Sequence, residues 1–372
     1  MTDEDLEGRL ALFTAGRPTR FGRFATPDPA WLALAEPEEA LRPDLEIVDA
    51  HHHLWDLPGF TYLLPDLVGD LECGHTIVAT VFCECHAMYR ARGPEAMRPV
   101  GEIEFAAGIA AMSASGGYGP TAVNRGIVGF ADLTLGDAVA PVLEAEIAAG
   151  GGRLAGIRHG GAWDADPAIG NSPGMTAPGF YLAASCAEGL RRLASYGLAF
   201  DAWVFHSQLR DVRHLARAVP ESSIVLGHLG GPLGYGAHAD RRQEVFDDWR
   251  RGMAELAECP NVTVKIGGLL MRLAAFDYLV ARRPPSSEEL ARVWGPYIRA
   301  AIDLFGPERC LTESNYPVEK MAVPYGIFWN AIKRTIDDLT EGEQRSVLSA
   351  TADRVYRLDL DGLQPPGSAA AG

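Results

Sequence analysis

Short apolar runs alternate with longer amphipathic stretches along most of this chain. Eight runs rich in β-branched and aromatic residues fall at 46–51, 75–85, 126–133, 154–159, 198–206, 223–228, 262–267 and 310–315. They read as strands covered on both faces, because their apolar character is nearly continuous rather than alternating. Helical periodicity fills the intervals at 95–113, 140–149, 181–196, 208–218, 243–259, 287–305 and 327–339, and a last helix spans 342–356. Eight strands separated by helices predict an α/β fold of the (β/α)8 TIM-barrel type. A doubly wound open sheet would place a Gly-rich phosphate loop after an early strand. Here the first strand runs instead into Asp49-Ala50-His51-His52-His53.

Three segments are expected. Residues 1–44 form an N-terminal extension rich in Pro and Ala, with a short helix at 31–40, that packs on a neighbour or caps one barrel end. Residues 45–360 form the barrel. Residues 361–372 form a small-residue tail expected to be disordered.

Charge and cysteine usage narrow the partners. Of 372 residues, 33 are Lys or Arg and 49 are Asp or Glu, a net charge of -16. Nucleic-acid binding needs a basic face, so that partner is excluded, while a single Arg can still hold an anionic small molecule. No apolar run is long enough to span a membrane. The acidic start lacks the apolar segment of a secretion signal, which gives a cytoplasmic expectation. Six scattered cysteines then read as reduced thiols. A homodimer through the N-terminal extension is the expected assembly.

The chemistry gathers at the predicted strand ends, where barrels of this type carry their sites. His51 and His53 share one face of strand one, with His52 on the other. Strand two ends in Glu84 and His86, strand three in Asp132, strand four in Arg158 and His159. Strand five ends in His206 and strand six in His228. Strand seven contains Lys265, and strand eight ends in Glu313 and Asn315. Seven of the ten histidines lie at these ends, which argues for one convergent site. The segment 162–180 is long and rich in turn formers, so it reads as a lid, with Trp163 placed to stack on a planar substrate.

The order of these motifs resembles the amidohydrolase superfamily, specifically its amidohydrolase-2 branch of sugar-acid lactonases and 2-pyrone-4,6-dicarboxylate lactonase. The resemblance covers about residues 45–358. It rests on Asp49-Ala50-His51-His52-His53, on His228-Leu229-Gly230-Gly231-Pro232 and on Ser349-Ala350-Thr351-Ala352-Asp353-Arg354-Val355-Tyr356. It implies that His51, His53 and His206 hold one divalent metal, zinc for preference, or polarise a carbonyl directly in a metal-free site. It also implies that Arg158 binds a substrate anion. Arg158 and His159 stand where many members carry a bridging Lys or Glu, so a binuclear centre is not expected. The family's strand-eight Gly-Ser-Asp-x-Pro becomes Glu313-Ser314-Asn315-Tyr316-Pro317, so an amide replaces the Asp that serves as base. Asn cannot take a proton as a carboxylate does. Glu313 is the substitute, unless it pairs with Lys265 or Arg158, and Glu84 is a second candidate base.

The leading reading is therefore a hydrolase that opens a lactone or similar ester of a carboxylated small molecule. His228 orients water or stabilises an oxyanion, Asn315 orients substrate or water, and Arg158, His159 and Trp163 bind substrate. The alternatives are a non-oxidative decarboxylase of an aromatic or enol acid, and a non-catalytic barrel that binds a small molecule.

Overall fold

The computed structural model describes residues 26–57, 60–269, 278 and 281–362, and the backbone of 18–19 and 22–23. Eight parallel strands carry the architecture: β1 (Glu46–His52), β2 (Thr76–Cys83), β3 (Ala122–Gly129), β4 (Leu154–Arg158), β5 (Ala199–Ala202), β6 (Ser223–Leu226), β7 (Val262–Ile266) and β8 (Cys310–Thr312). Each pairs with its neighbours in chain order. Beyond β8, Asn315 donates its backbone N–H to His51 O at 2.8 Å and His53 donates to Tyr316 O at 2.7 Å, which closes the ring between β8 and β1. The (β/α)8 barrel is thus the observed fold. No helix among the described residues is long and apolar enough to cross a membrane.

Two apolar layers hold the barrel. The outward faces of the strands pack beneath the helices, including Val100–Met112, Ala184–Ser195, Arg242–Ala257, Ser287–Phe305 and Tyr325–Thr335. The interior floor is built from Val48, Ala50, Ala79, Val81, Cys83, Val128, Ala199, Val225 and Leu311. Ala352, Tyr356 and Leu358 of the C-terminal helical segment plug that floor from below. Fully burying one aliphatic side chain contributes about 1.5–3 kcal/mol, so the plug is a substantial part of the core.

The sequence expectations shift at several places. The predicted helix at 31–40 shrinks to Pro29–Leu32, capped by Asp28. Pro37 lies inside the predicted span, and its missing N–H and ring forbid continuation. The chain from 38 to 42 is instead fastened to the Tyr325–Thr335 helix: Asn330 Nδ2 donates to Glu39 O at 2.9 Å, and Lys333 Nζ donates to Arg42 O at 2.6 Å. This part of the extension therefore packs on its own barrel. β3 begins and ends four residues early, so Asp132 caps the turn Leu133–Val139 rather than ending a strand. β5 stops at Ala202, and His206 opens a separate 3-10 turn, His206–Gln208. The expected tail beyond 362 and most of the first 25 residues lie outside the described residues.

Candidate active site

A bulge in β1 aims the histidines. Asp49 pairs with Thr80 and His52 with Phe82, so β1 carries one residue more than β2 across that step. Val48 and Ala50 face the interior, and strict alternation would send His52 after them. The extra residue reverses this. His51 and His53 turn inward with their Nε2 atoms 3.1 Å apart, and His52 turns outward to Thr80 Oγ1 at 2.9 Å. The shared face expected for His51 and His53 is observed. Asp49, the first residue of the motif, accepts hydrogen bonds from Ser314 N, Ser314 Oγ and Tyr325 OH. It therefore braces the β1–β8 seam from outside.

The other side of the cluster comes from the β6 and β8 ends. Glu313 Oε1 accepts from His228 Nδ1 at 2.8 Å and from His228 N at 2.9 Å. His228 sits at φ 51, in the left-handed region, which folds its backbone N–H and its ring toward the same carboxylate oxygen. Gly268, at φ 65, lies flat against that ring, and a Cβ there would stand 2.2 Å from His228 Nδ1. Glu313 Oε2 is buried without a directed hydrogen bond, although His51 Nδ1 is 2.9 Å away. Trp203 meets the His228 ring edge-on, with centroids 4.7 Å apart.

Two buried ion pairs flank His51. Arg158 donates through Nε to Glu84 Oε1 at 2.7 Å and through NH2 to Glu84 O, and its NH1 lies 3.3 Å from His51 Nε2. Lys265 donates to Asp201 Oδ2 at 2.6 Å, and its Nζ lies 3.3 Å from His51 Nδ1. Tyr356 OH closes the second pair from below, 2.8 and 3.0 Å from the two Asp201 oxygens.

Burial, then the neighbouring Lys265 charge, holds His51 well below the usual imidazole range. Burial, then Arg158, does the same to His53. Burial and the neighbouring cations thus favour the neutral form of both rings. Burial works to raise the Glu313 carboxyl, but the charge and hydrogen bonds of His228, with Lys265, bring it below its usual value. Burial also works against the Lys265 ammonium, but Asp201 together with Cys83 and Glu313 brings it above its usual value.

These residues fit a divalent cation. His53 Nδ1 lies 2.8 Å from Cys83 O, which fixes the proton on Nδ1 and leaves a lone pair on Nε2. His51, His228 and Glu313 each offer a ligand atom within 4.8 Å of the others, and Glu313 Oε2 is the orphaned oxygen among them. Nitrogen and carboxylate donors in such a set suit zinc. A second group, His51, Cys83 and Asp201, is equally close. There the Lys265 ammonium already neutralises Asp201.

Several expected site residues stand elsewhere or in other roles. His53 belongs to neither ligand group, and neither does His206. The His206 ring faces His238 at 5.5 Å, because β5 ends four residues before it. Glu84 is held by Arg158 and so is not placed as a free base. Asn315 has left the strand at φ 55, and its amide donates to Glu319 Oε1 at 3.2 Å rather than facing the site beside Glu313. His159 accepts from Leu133 N at 3.2 Å and is packed between Phe130 and Phe180, and burial lowers its pKa to about 4. Trp163 lines a rim groove of about 660 Å³ with Asp164, Leu182, Gln208 and His238, whose walls include none of the clustered imidazoles. The 162–180 segment is tied to the 235–238 turn by Tyr235 OH to Ile169 O at 2.6 Å and His238 Nε2 to Asp164 Oδ2 at 3.1 Å. Sequence reasoning passed over Asp201, Tyr356 and Gly268. Paired glycines directly after an apolar strand, Gly267-Gly268, were the available signal for close approach.

A family model described as amidohydrolase matches residues 48–358. An uncharacterized protein of Sinorhizobium fredii, y4mH, is 27% identical over 337 residues, which is 85% of this chain and 99% of that protein. An L-fucono-1,5-lactonase of Burkholderia multivorans is 27% identical over 323 residues, covering 84% and 96%. A solved amidohydrolase from Burkholderia multivorans, described with bound zinc, superposes with a TM-score of 0.63 at 25% identity over 84% of this chain and 99% of its own.

Proposed function

This chain belongs to the amidohydrolase family, and from that premise we propose that it is a hydrolase that opens an uncharged lactone of a polyhydroxylated acid. The observation that carries this reading is the carboxylate-backed imidazole, Glu313–His228, set beside the His51/His53 pair. The lactonase named among its relatives supports the same reaction class. The carboxylated substrate expected from sequence is not favoured. Arg158 was to clamp the anion in bidentate fashion. Its Nε and NH2 are engaged by Glu84, and Lys265 is engaged by Asp201, so neither cation offers a free fork. The same neutralisation weighs against decarboxylation of an organic acid.

Each side chain then has a task. Glu313 takes the Nδ1 proton bond of His228 and leaves its Nε2 to accept a proton from water. The resulting imidazolium is stabilised by the buried carboxylate behind it. Arg158 NH1, held at the edge of the cluster by Glu84, is a donor for the carbonyl oxygen as negative charge develops there. Trp203 closes one side of His228 and keeps bulk water from it. His51 and His53 would hold a zinc ion, which when bound would supply Lewis acidity and a more acidic water.

The test is a panel of purified lactones followed by acid release, with and without added zinc. Uncharged aldonolactones are expected to turn over and lactones that carry a carboxylate are expected to be poor. Turnover confined to carboxylated lactones would reverse the substrate reading, and no turnover of any lactone would end the reaction reading.

A further inference from the structure

His51 Nδ1 has two neighbours that make opposite demands. Lys265 Nζ lies 3.3 Å away and Glu313 Oε2 lies 2.9 Å away. An ammonium can only donate and a carboxylate can only accept. The first requires a bare Nδ1, with the proton on Nε2. The second requires the proton on Nδ1.

We infer that Lys265 is a positioning residue that fixes His51 as the Nε2–H tautomer in the metal-free protein. Three distances carry this. The Lys265 contact has hydrogen-bond geometry, whereas Glu313 Oε2 makes no directed bond despite its shorter approach. His53 Nε2 stands 3.1 Å from His51 Nε2, and it is an acceptor because its Nδ1 proton is given to Cys83 O. The Nε2–H tautomer therefore completes one chain of donors: Lys265 to His51, His51 to His53, His53 to Cys83 O. The other tautomer would set two lone pairs against each other at 3.1 Å. Arg158 NH1, which can only donate, also stands in hydrogen-bond geometry 3.3 Å from His51 Nε2; the Nε2–H tautomer forgoes that one bond, while Arg158 stays anchored to Glu84 through Nε and NH2.

The consequence concerns the metal, and this half rests on the metal role proposed above. A cation at His51 and His53 needs the His51 Nε2 lone pair. The proton must leave Nε2 and reappear on Nδ1, where Glu313 Oε2 accepts it, so none is released to solvent. Lys265 opposes that exchange twice, as a competing donor and as a positive charge. Asp201 and Tyr356 anchor it there: the Asp201–Lys265 bond is 2.6 Å, and the ammonium sits 5.3 Å from the Tyr356 ring centre. The site is thereby built to bind zinc weakly and reversibly.

Nitrogen-15 histidine spectra of the metal-stripped full chain test this, with His51 assigned from a His51→Gln sample. The wild type should show His51 protonated at Nε2. A Nδ1–H signal there overturns the assignment outright, whatever happens with variants. The double variant Lys265→Met/Asp201→Asn removes both charges together. It should show His51 protonated at Nδ1 and bind zinc at least about tenfold more tightly in competition with a chromophoric chelator. A flipped tautomer with unchanged zinc affinity overturns the second half. Absence of zinc binding in both proteins defeats the metal role itself, and the spectra still decide the tautomer.

Discussion

Glu313 is joined to His228 twice through a single oxygen, by the ring Nδ1 at 2.8 Å and by the backbone N–H at 2.9 Å. The carboxylate therefore fixes both where the ring sits and which nitrogen faces outward. In the proposed reaction this places the proton-accepting role on His228, with Glu313 acting through it. Glu313→Gln should lower kcat about 10²-fold to 10³-fold with little change in KM. His228→Asn should cost about as much, and the double variant little more, because the two act as a unit. Steady-state kinetics on a responsive lactone would measure this. Fully multiplicative losses would show the two residues acting independently.

Gly268 is the second support of that ring. A Cβ at this position meets His228 Nδ1 at 2.2 Å, Cγ at 2.5 Å and Cβ at 2.8 Å, and the backbone sits at φ 65. Neither the ring nor the loop can yield without breaking the Glu313 bond. Gly268→Ala should therefore lower kcat/KM by about 10²-fold while far-UV circular dichroism is unchanged. Activity within a few-fold of wild type would mean that the ring has room to move.

The barrel was legible because its signal is distributed. Each strand needs only a short apolar run, and the errors at β3 and β5 left the order intact. The His51/His53 pairing was legible too, although for an incomplete reason. Simple alternation predicts their shared face, but the bulge after Asp49 decides that this face points inward. Pair partners were not legible. Lys265 and Arg158 were both open as partners of Glu313, and the structure gives them to Asp201 and Glu84. Which charges meet depends on strand tilt and register, and no local pattern encodes either. The role of Asn315 was misread because strand geometry was extended past Thr312, where the chain has already turned.

Restoring the family's carboxylate at 315 should not create a base. The Asn315 amide donates to Glu319 Oε1 at 3.2 Å, and both residues are almost fully buried. Asn315→Asp exchanges that donor for a second buried carboxylate. The expected loss of stability is on the order of 2–4 kcal/mol, with no gain in kcat. Adding Glu319→Gln should recover much of the stability but no extra activity. Urea unfolding together with lactone kinetics checks both parts, and a rise in kcat for Asn315→Asp would show that the side chain does reach the reacting atoms.

Below pH 6.5 the outward-facing histidine of the motif should weaken the fold. His52 is fully buried, and desolvation lowers its pKa from 6.5 to about 4. Its Nε2 lies 2.9 Å from Thr80 Oγ1, which also accepts from Asn124 N. The unfolded chain takes up a proton near pH 6.5, and the folded chain does so only near pH 4. The contribution to stability is thus complete above the unfolded value and is lost as pH falls between the two, up to about 3 kcal/mol. His75 and His206 are lowered to about 4 by burial in the same way, so the total acid sensitivity will exceed the share of His52. A difference measurement isolates that share. Wild type and His52→Gln should be compared by urea midpoint from pH 7.5 to pH 4.5. The advantage of wild type should shrink steadily across that range, and a constant gap would mean that His52 takes up its proton at the same pH in the folded and unfolded chains.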